Sequence, residues 1–335
     1  MSYRDAGCSP TMRFGAAMSR VPHYRPFLIC VVILWFVTTV AFFMLDYRAS
    51  ARPPIAEDGL TSLLTVYLPV LALSVFLLLF LTRHRDPFRW TDRFCLDERK
   101  AGREVLGVFS YLLVTQLILG LGFQSGLHFP GPDIFQQGKH DLGTVISWML
   151  LNGLLYFAVP VYWLRRNGLH FKSLLTPWEW RRNLWIIVAY WMLDFFGPIL
   201  GGVTFFSLST EQYVLGVPTS IVANTIGAGL PVLLLMHVVL IPRLMVLFDN
   251  KLTVITLAGF FYAIFSLFDP GVDYGSRELG ALSVSYIIMT QVLVGMGKAT
   301  FTVVTGNPWI HFITLHVLSA RIPFDTEMYA EIFAG

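Results

Sequence analysis

Long apolar stretches separated by short polar segments run through the whole chain. The first, Pro26 to Leu45, spans about 20 residues, enough to cross ~30 Å of hydrocarbon at ~1.5 Å per residue. A charged segment, DYR, follows it rather than a small-residue cleavage site, which indicates an uncleaved span and not a signal peptide. Further predicted spans are Leu60–Thr82, Val105–Phe123, Gly143–Leu164, Leu184–Phe206, Ser220–Phe248, Leu252–Phe268, Leu279–Val304 and Pro308–Ala320.

The distribution of basic residues agrees with this pattern. If the N-terminus lies inside, the inner segments hold 19 of the 24 Lys and Arg residues and the outer segments hold 5. This asymmetry is what the positive-inside rule predicts for a multi-pass protein. We therefore predict an all-α transmembrane bundle of about nine spans (eight to ten), N-in and C-out. The inner set includes Arg243 and Lys298, and we interpret Lys298 as reaching toward the interface.

Composition excludes most soluble and nucleic-acid-binding classes. Of 335 residues, 55% are hydrophobic and only 13% are charged, with a mean hydropathy of +0.63. A soluble domain has about 25% charged residues, so this chain has too few to cover a surface that faces water. The net charge of +3 argues against a nucleic-acid partner, and the three cysteines form no disulfide or zinc pattern. We expect contact with the lipid bilayer and predict no cofactor.

Two predicted spans are interrupted by glycine and proline. The interruptions are FGPILGG (Phe196–Gly202) and TIGAGLP (Thr225–Pro231). Gly197 and Gly201 form a G-x-x-x-G step, which lets helices approach closely, and packing is the commoner explanation for both sites. Broken spans and an ionisable residue in mid-span, here Asp194, are also typical of transporters, so a transporter remains an alternative.

Ionisable side chains inside spans are candidates for function, because each costs about 2.5–3.5 kcal/mol on insertion scales. His311 and His316 lie five residues apart, which is ~140° around an α-helix, so we expect them to face different directions. They do not form the i, i+4 pair of a zinc helix. We interpret His311 as interfacial and His316 as the better site candidate. The other candidates are Asp194, His237, Asp269 and Lys298.

The C-terminal third, from about Gly229 to Arg321, resembles the CPBP (CAAX protease and bacteriocin-processing, or Abi) family of intramembrane proteases. The stretch QVLVGMGKATFTVVTGNPWIHFITLHVLSA is similar to the final pair of spans in that family, in which a turn leads into a helix that carries H-x-x-x-(N/D). The stretch VLLLMHVVLIPRLMVLFDNKLTVITLAGFFYAIFSLFD is similar to the preceding pair. The resemblance implies a helical core that binds a transmembrane or lipidated protein.

The first motif of the family, E-E-x-x-x-R, falls on Val232, Leu233 and His237. Both glutamates are thus replaced by aliphatic residues, and the arginine is replaced by histidine. In the family a glutamate is thought to activate water, and no carboxylate stands in its place here to act as a general base. The resemblance therefore implies a proteolytically inactive member, a pseudoenzyme.

Of the two histidines in the second and third motifs of the family, this chain keeps one, His316. F-x-x-x-H falls on Phe261, with Phe265 in the place of histidine; an alternative register pairs Phe265 with Asp269. The third motif keeps His316 and has Ala320 in place of Asn or Asp. At four motif positions this chain has a different residue from the family, namely Val232, Leu233, Phe265 and Ala320.

A rebuilt catalytic site would consist of His316, His237 and Asp269. From the inner helix ends, the three lie about 12, 18 and 25 Å deep at ~1.5 Å per residue. We therefore predict that the two histidines can meet across a helix pair and that Asp269 lies nearer the outer surface. Whether a metal binds is left open, since two ligands are fewer than the three usual for catalytic zinc.

The sequence thus divides into four regions. They are an N-terminal cytoplasmic tail (1–25), N-terminal transmembrane helices (26–206), a CPBP-like helical core (207–321) and an outer-side C-terminal tail (322–335). The favoured function is a membrane protein without peptidase activity that binds a membrane or lipidated partner. An active intramembrane peptidase with a rebuilt site and a transporter are the alternatives. The resemblance favours a bacterial cytoplasmic membrane.

Overall fold

The structure is a computed structural model that describes residues 24–48, 52–53, 68–83, 98–123, 126–127, 142–167, 180–200, 204–248, 250–269, 271–317, 326 and 329–333. These residues are mostly helical and contain no strand, so the predicted all-α class is confirmed. The helices, numbered in chain order, are α1 (Tyr24–Arg48), α2 (Leu68–Thr82), α3 (Glu98–Phe123), α4 (Leu142–Arg166), α5 (Trp180–Leu200), α6 (Thr210–Leu247), α7 (Lys251–Phe265), α8 (Arg277–Thr305) and α9 (Pro308–Phe312, continuing through a π-helical turn to Val317).

Five of these helices are long and apolar enough to cross a membrane, namely α1, α3, α4, α6 and α8. Shorter apolar helices occur within α2, α5 and α7. Large apolar side chains are exposed along the outer helices, including Phe36 and Met44 on α1 and Leu106 and Ile118 on α3. Exposed apolar surface of this extent is unfavourable in water and favourable against lipid. These helices are therefore compatible with an integral membrane protein.

Helix α6 forms the centre of the bundle. Its most apolar stretch is 78% buried, whereas that of α1 is 11% buried. Every residue from Leu233 to Leu240 is buried. Helices α7 and α8 pack closely against each other, since a Cβ at Gly259 would lie 2.5 Å from Val292 O and a Cβ at Gly295 would lie 2.4 Å from Tyr262 Cβ. Small residues thus allow the two backbones to approach.

Each of the three π-helical turns within α4 and α6 ends two residues before a proline. Proline lacks a backbone donor, and its ring clashes with the carbonyl four residues earlier. A π-helical turn is wider because its carbonyls bond five residues on, and this relieves the clash. The pairs are Gly153–Ala158 with Pro160, Thr225–Gly229 with Pro231, and Leu233–Leu240 with Pro242. A fourth π-helical turn, Ile313–Val317, lies in α9.

Polar residues define the ends of the core helices. The side chain of Asn250 accepts hydrogen bonds from the first turn of α7, and that of Ser276 accepts one from Leu279 N in α8. Gly306 ends α8 in the left-handed region at φ 70°, which favours glycine. Asn307 then caps α9 by accepting from Trp309 N. The Gly-Asn-Pro segment therefore forms the predicted turn into a final helix.

The described residues of the C-terminal segment pack against the first half of α6. Thr326, Tyr329 and Ala330 are buried, and Tyr329 OH lies 3.2 Å from Asn224 Oδ1. A Cβ at Gly216 would lie 3.3 Å from Ala330. Most of the N-terminal tail (1–25), Gly201, Gly202 and Ala320 lie outside the described residues, as does the side chain of Asp194.

Candidate functional site: a buried histidine cluster

Three histidines from two helices meet inside the bundle. His237 comes from α6, and His311 and His316 come from α9. The rings of His237 and His311 are stacked, with centroids 3.7 Å apart and planes inclined by 25°. The ring of His316 meets that of His311 edge to face at 5.0 Å. His237 and His316 were predicted to meet across a helix pair, and the structure connects them through His311.

The π-helical turn of α9 accounts for the position of His311 beside His316. The prediction that the two face different directions assumed ~100° per residue, and it is wrong because Ile313–Val317 is π-helical. In such a turn, hydrogen bonds join residues five apart and bring them nearly one above the other. The side chain of His311 is fully buried among the helices, at 0% exposure.

Helix α8 supplies the polar neighbours of the cluster. His237 Nδ1 lies 2.6 Å from Thr302 Oγ1, within hydrogen-bond distance. One turn earlier on the same face is Lys298, which is buried and donates a hydrogen bond to the hydroxyl of Tyr262 in α7. Its Nζ also lies 4.3 Å from the centroid of the Tyr262 ring. The prediction that Lys298 reaches the interface is therefore wrong.

Several nitrogens of the cluster are buried without a hydrogen-bond partner among the described residues. They are Nε2 of His237 and both Nδ1 and Nε2 of His311. A buried polar atom without a partner costs about 1–3 kcal/mol. Buried polar groups in proteins are nearly always paired, so each exception calls for an explanation such as a bound group. The cluster is therefore an energetic anomaly within an apolar bundle.

Aromatic rings and a glycine enclose the histidines. Phe301 of α8 meets His311 at 6.5 Å between centroids, and the ring of Phe312 lies 6.5 Å from that of His316. Gly229, in the TIGAGLP segment, allows α6 to approach α9, because a Cβ there would lie 2.9 Å from His316 Cβ. This close approach agrees with the packing interpretation of that segment.

Three of the positions at which the resemblance implies a polar residue, namely 232, 233 and 265, belong to the hydrophobic core. Val232 and Leu233 are 0% and 1% exposed and pack among the apolar side chains of α6 and its neighbours. Phe265 is buried in the same core at the end of α7. These side chains offer no proton acceptor. Catalysis by a base at 232 or 233 is therefore chemically impossible in this chain.

Asp269 follows the end of α7 and lies beside Gly126. Its Oδ1 would be 2.9 Å from a Cβ at Gly126. The adjacent Leu127 carbonyl accepts a hydrogen bond from Asn152, which also donates to Gly227 O. Gly227 is two residues before Gly229, at which a Cβ would lie 2.9 Å from His316 Cβ.

The surroundings of Asp269 are those of a loop outside the spanning helices. Tyr274 donates a hydrogen bond to Leu267 O at 2.6 Å. Burial of Tyr274 and the nearby charge of Asp269 raise the pKa of the Tyr274 hydroxyl to about 12. Tyr274 therefore remains a neutral donor at physiological pH, and Asp269 sits in a loop that joins α7 to α8.

The structure contains a buried ion pair between α3 and α6 that the sequence did not predict. Arg243 is 0% exposed, and its Nε donates to Glu104 Oε2 at 2.7 Å. Its Nη1 also donates to the carbonyl of Val239 at 3.0 Å. The sequence assigned Arg243 to the inner-side charges, yet both Arg243 and Lys298 are buried among helices. One feature of the sequence could have indicated that Arg243 is buried: it is an arginine directly after a proline inside an apolar run.

The cluster is not a preformed metal site as its rings stand. Within the described ranges, no three His, Cys, Asp or Glu side chains are already arranged to hold a metal ion.

No protein-family model, curated protein or solved structure matches the chain. The resemblance to the CPBP family therefore depends on the sequence motifs alone.

Proposed function

We propose that this chain is a bacterial cytoplasmic membrane protein with a CPBP-like helical core that binds a transmembrane or lipidated protein without cleaving it. In this proposal the chain crosses the membrane about nine times, with the N-terminus inside. Four of the proposed spans correspond to the shorter helices α2, α5, α7 and α9.

The burial of Val232 and Leu233 is the observation that carries the proposal. Intramembrane hydrolysis of a peptide requires a base that activates water within reach of the scissile carbonyl. At these two positions the resemblance implies glutamates, and this chain has aliphatic side chains sealed in its core. An apolar core in place of the base supports loss of catalysis with retention of the bundle.

An active peptidase with a rebuilt site is the second candidate, and the histidine cluster is the observation that favours it. Histidine is the commonest general base in enzymes. Against this candidate, His237 and His311 are closed off by Thr302, Phe301 and each other.

The experiment combines partner capture with a cleavage assay. A photo-crosslinking amino acid replaces Val317, which follows His316 at the end of α9, in cells that produce the full chain. The same amino acid at Tyr47, 91% exposed at the end of α1, serves as the matched control. Separately, the purified chain in lipid nanodiscs is incubated with a prenylated C-terminal peptide, with and without His316→Ala.

The proposal expects a defined adduct from position 317 that is absent from position 47, and an intact prenylated peptide. Failure of position 317 to yield any specific adduct would argue against partner binding. Cleavage of the peptide by the natural chain and not by His316→Ala would replace the proposal with the peptidase candidate.

A further inference from the structure

We propose that one end of the bundle binds the phosphate groups of anionic phospholipids through two arginine pairs, Arg99 with Arg103 on α3 and Arg165 with Arg166 on α4. The acyl chains of the bound lipids lie along the exposed apolar faces of the same helices. This inference does not depend on the proposed function. It rests on where the helix ends lie, on the exposed guanidinium groups there, and on the apolar faces that lead to them.

The first turn of α3 and the last turn of α4 lie at the same end of the bundle. Tyr111 of α3 donates a hydrogen bond to Leu155 O of α4, and Trp148 of α4 donates one to Gly126 O, beyond the end of α3. The two helices therefore run antiparallel. Both arginine pairs lie 8 to 12 residues from the contact between Tyr111 and Leu155, about 12–18 Å along each helix.

The carboxylate next to Arg103 in the chain is already engaged elsewhere. Glu104 accepts a hydrogen bond from Nε of the buried Arg243, and so neutralises the charge of that residue and not of the exposed arginines. Among the described residues of this end, Glu98 is the exposed acidic side chain, and Lys251 at the start of α7 adds a further exposed basic one. This end of the bundle therefore carries a surplus of positive charge.

The four guanidinium groups are available to an anion. Arg99, Arg103, Arg165 and Arg166 are all exposed. The side chains of the first three form no hydrogen bond or ion pair with another described residue. A guanidinium presents its N–H donors in a planar fork that fits two oxygens of one phosphate. Two such groups one helical turn apart, or adjacent at a helix end, therefore suit a phosphate group.

Arg99 and Arg103 stand at the end of the lipid-exposed face of α3. Positions 99, 103 and 106 follow the i, i+4, i+7 spacing of one helical face, and positions 117 and 121 continue it. Leu106 is 65% exposed, and Leu117 and Leu121 are exposed as well. Apolar surface of this kind is covered by acyl chains in a bilayer. The arginine pair therefore lies where an acyl chain on α3 leads to its headgroup.

The end of α4 has the same arrangement. Val159, Tyr162 and Arg166 follow the spacing of one helical face, and both Val159 and Tyr162 are exposed. Cζ of Arg166 lies 4.8 Å from the centroid of the Tyr162 ring. Tyrosine and tryptophan rings are enriched at the level of lipid headgroups. Tyr162 therefore places the guanidinium of Arg166 at the boundary between acyl chains and headgroups.

The combination of the two features selects the ligand. Exposed arginines alone would fit any phosphate, and exposed apolar faces alone would fit any lipid. An amphiphile with a negatively charged headgroup uses both, because its phosphate contacts the arginine pair while its acyl chain covers the apolar face. Basic groups at helix ends recognise anionic headgroups in this way. The structure therefore favours an anionic phospholipid over a zwitterionic one and over free phosphate.

The test measures which lipids stay bound to the full chain and how they change its thermal midpoint. The protein is placed in nanodiscs of phosphatidylcholine alone or of phosphatidylcholine mixed with phosphatidylglycerol. Lipids that remain on the released protein are counted by native mass spectrometry, and the thermal midpoint is recorded in each nanodisc. Inorganic phosphate added to the phosphatidylcholine nanodiscs separates binding of a lipid headgroup from binding of a free anion.

Two double variants remove the arginine pairs, Arg99→Gln with Arg103→Gln and Arg165→Gln with Arg166→Gln. Arg48→Gln with Arg277→Gln is the control, because it removes the same charge from exposed positions at the opposite end, where α1 ends and α8 begins.

The position of the control follows from helix direction. Helix α1 runs antiparallel to α8, since Trp35 donates to Met289 O and the ring of Phe42 lies 5.7 Å from that of Tyr286.

We expect the natural chain to retain phosphatidylglycerol several-fold in excess over phosphatidylcholine and to gain several degrees of thermal midpoint from it. Each double variant should lower the preference, since one basic residue near an anionic headgroup contributes roughly fivefold. The midpoints of these variants in phosphatidylcholine should stay unchanged, because the replaced side chains are exposed. The control should keep the preference, and higher salt should weaken it in every case. If a double variant fails to fold, the single changes Arg103→Gln and Arg165→Gln provide the comparison.

The proposal is overturned if the natural chain shows no preference for phosphatidylglycerol, or if both arginine variants keep that preference. A loss of preference in the control as large as that in the arginine variants would assign the effect to net charge and would also overturn it. The same holds if inorganic phosphate raises the midpoint as much as phosphatidylglycerol does. None of these readouts uses peptide cleavage or partner capture, so failure here leaves the proposed function unaffected.

Discussion

The imidazole of His237 in α6 stacks on that of His311 in α9, with ring centroids 3.7 Å apart and planes inclined by 25°. Thr302 of α8 contacts the same His237 ring at Nδ1. Three helices that are otherwise joined by apolar packing therefore meet at one polar point. Polar contacts between helices contribute about 0.6–2 kcal/mol each in membranes, so this point also helps to fix how the helices pack.

Thr302→Val should destabilise the protein by about 1–3 kcal/mol, because valine keeps the volume and leaves His237 Nδ1 without a partner. Thr300→Val is the matched control on the same helix. The Thr300 hydroxyl donates only to Met296 O within α8, and its loss should cost less than about 0.5 kcal/mol. Unfolding in mixed detergent–SDS micelles measures both free energies. Equal losses for the two variants would contradict a specific role for the Thr302 contact.

Glu104→Gln should destabilise by about 3–5 kcal/mol, because it leaves the buried Arg243 guanidinium without its counter-charge. Replacing both residues, as Glu104→Leu with Arg243→Met, should cost much less than the sum of the two single changes. The partly exposed pair Arg52–Asp46, at 2.6 Å, provides the control. Asp46→Asn should change the free energy of unfolding by less than about 1 kcal/mol. A small effect of Glu104→Gln, comparable to that of Asp46→Asn, would show that the buried pair is not coupled.

Gly229→Ala should push α9 away from α6, since the new Cβ would lie 2.9 Å from His316 Cβ and 3.2 Å from Phe312 Cε2. Overpacking of this kind costs about 1–3 kcal/mol. Gly107→Ala in α3 meets no atom within 4 Å and should be neutral or slightly stabilising, because alanine is the better helix former. Thermal midpoints of the two variants provide the comparison. An unchanged midpoint for Gly229→Ala would mean that α6 and α9 are less closely packed than described.

Val232→Glu should not create peptidase activity, although it restores one glutamate implied by the family resemblance. The side chain is fully buried, and a carboxylate there should destabilise by about 2.5–3.5 kcal/mol or more. Val232→Ile, which keeps an apolar side chain, is the control. Expression level, thermal midpoint and cleavage of a prenylated peptide are measured together. A stable and active Val232→Glu variant would show that this position opens onto a site rather than onto the core.

The proposed N-in orientation predicts which loops a membrane-impermeant thiol reagent can reach. In a background where Cys8, Cys30 and Cys95 are replaced by serine, Glu278→Cys should be labelled in intact cells. Asn167→Cys should be labelled only after the membrane is opened. Both positions are exposed at helix ends, so access depends on the side of the membrane. If Asn167→Cys and not Glu278→Cys is labelled in intact cells, the orientation is the reverse of the proposed one. If both are labelled in intact cells, the number of spans between them differs from the proposed number.

The sequence by itself determined the class of the protein and most of its helices. Apolar stretches of membrane length and the low charged fraction are local properties, and no tertiary partner is needed to detect them. The helix from Pro308 also followed directly, because glycine, asparagine and proline each favour one conformation at a helix boundary. The sequence likewise showed directly that positions 232 and 233 carry aliphatic side chains and no carboxylate.

Only the tertiary structure decided where the polar side chains meet. The sequence placed His311 and His316 on different faces because it assumed a regular α-helix, and the π-helical turn at Ile313–Val317 changed their relative direction. Arg243 and Lys298 look like inner-side charges in the sequence, yet Glu104 and Tyr262, distant along the chain, hold them inside the bundle. Helical periodicity describes one helix at a time, whereas the burial of a charge depends on which other helix supplies its partner.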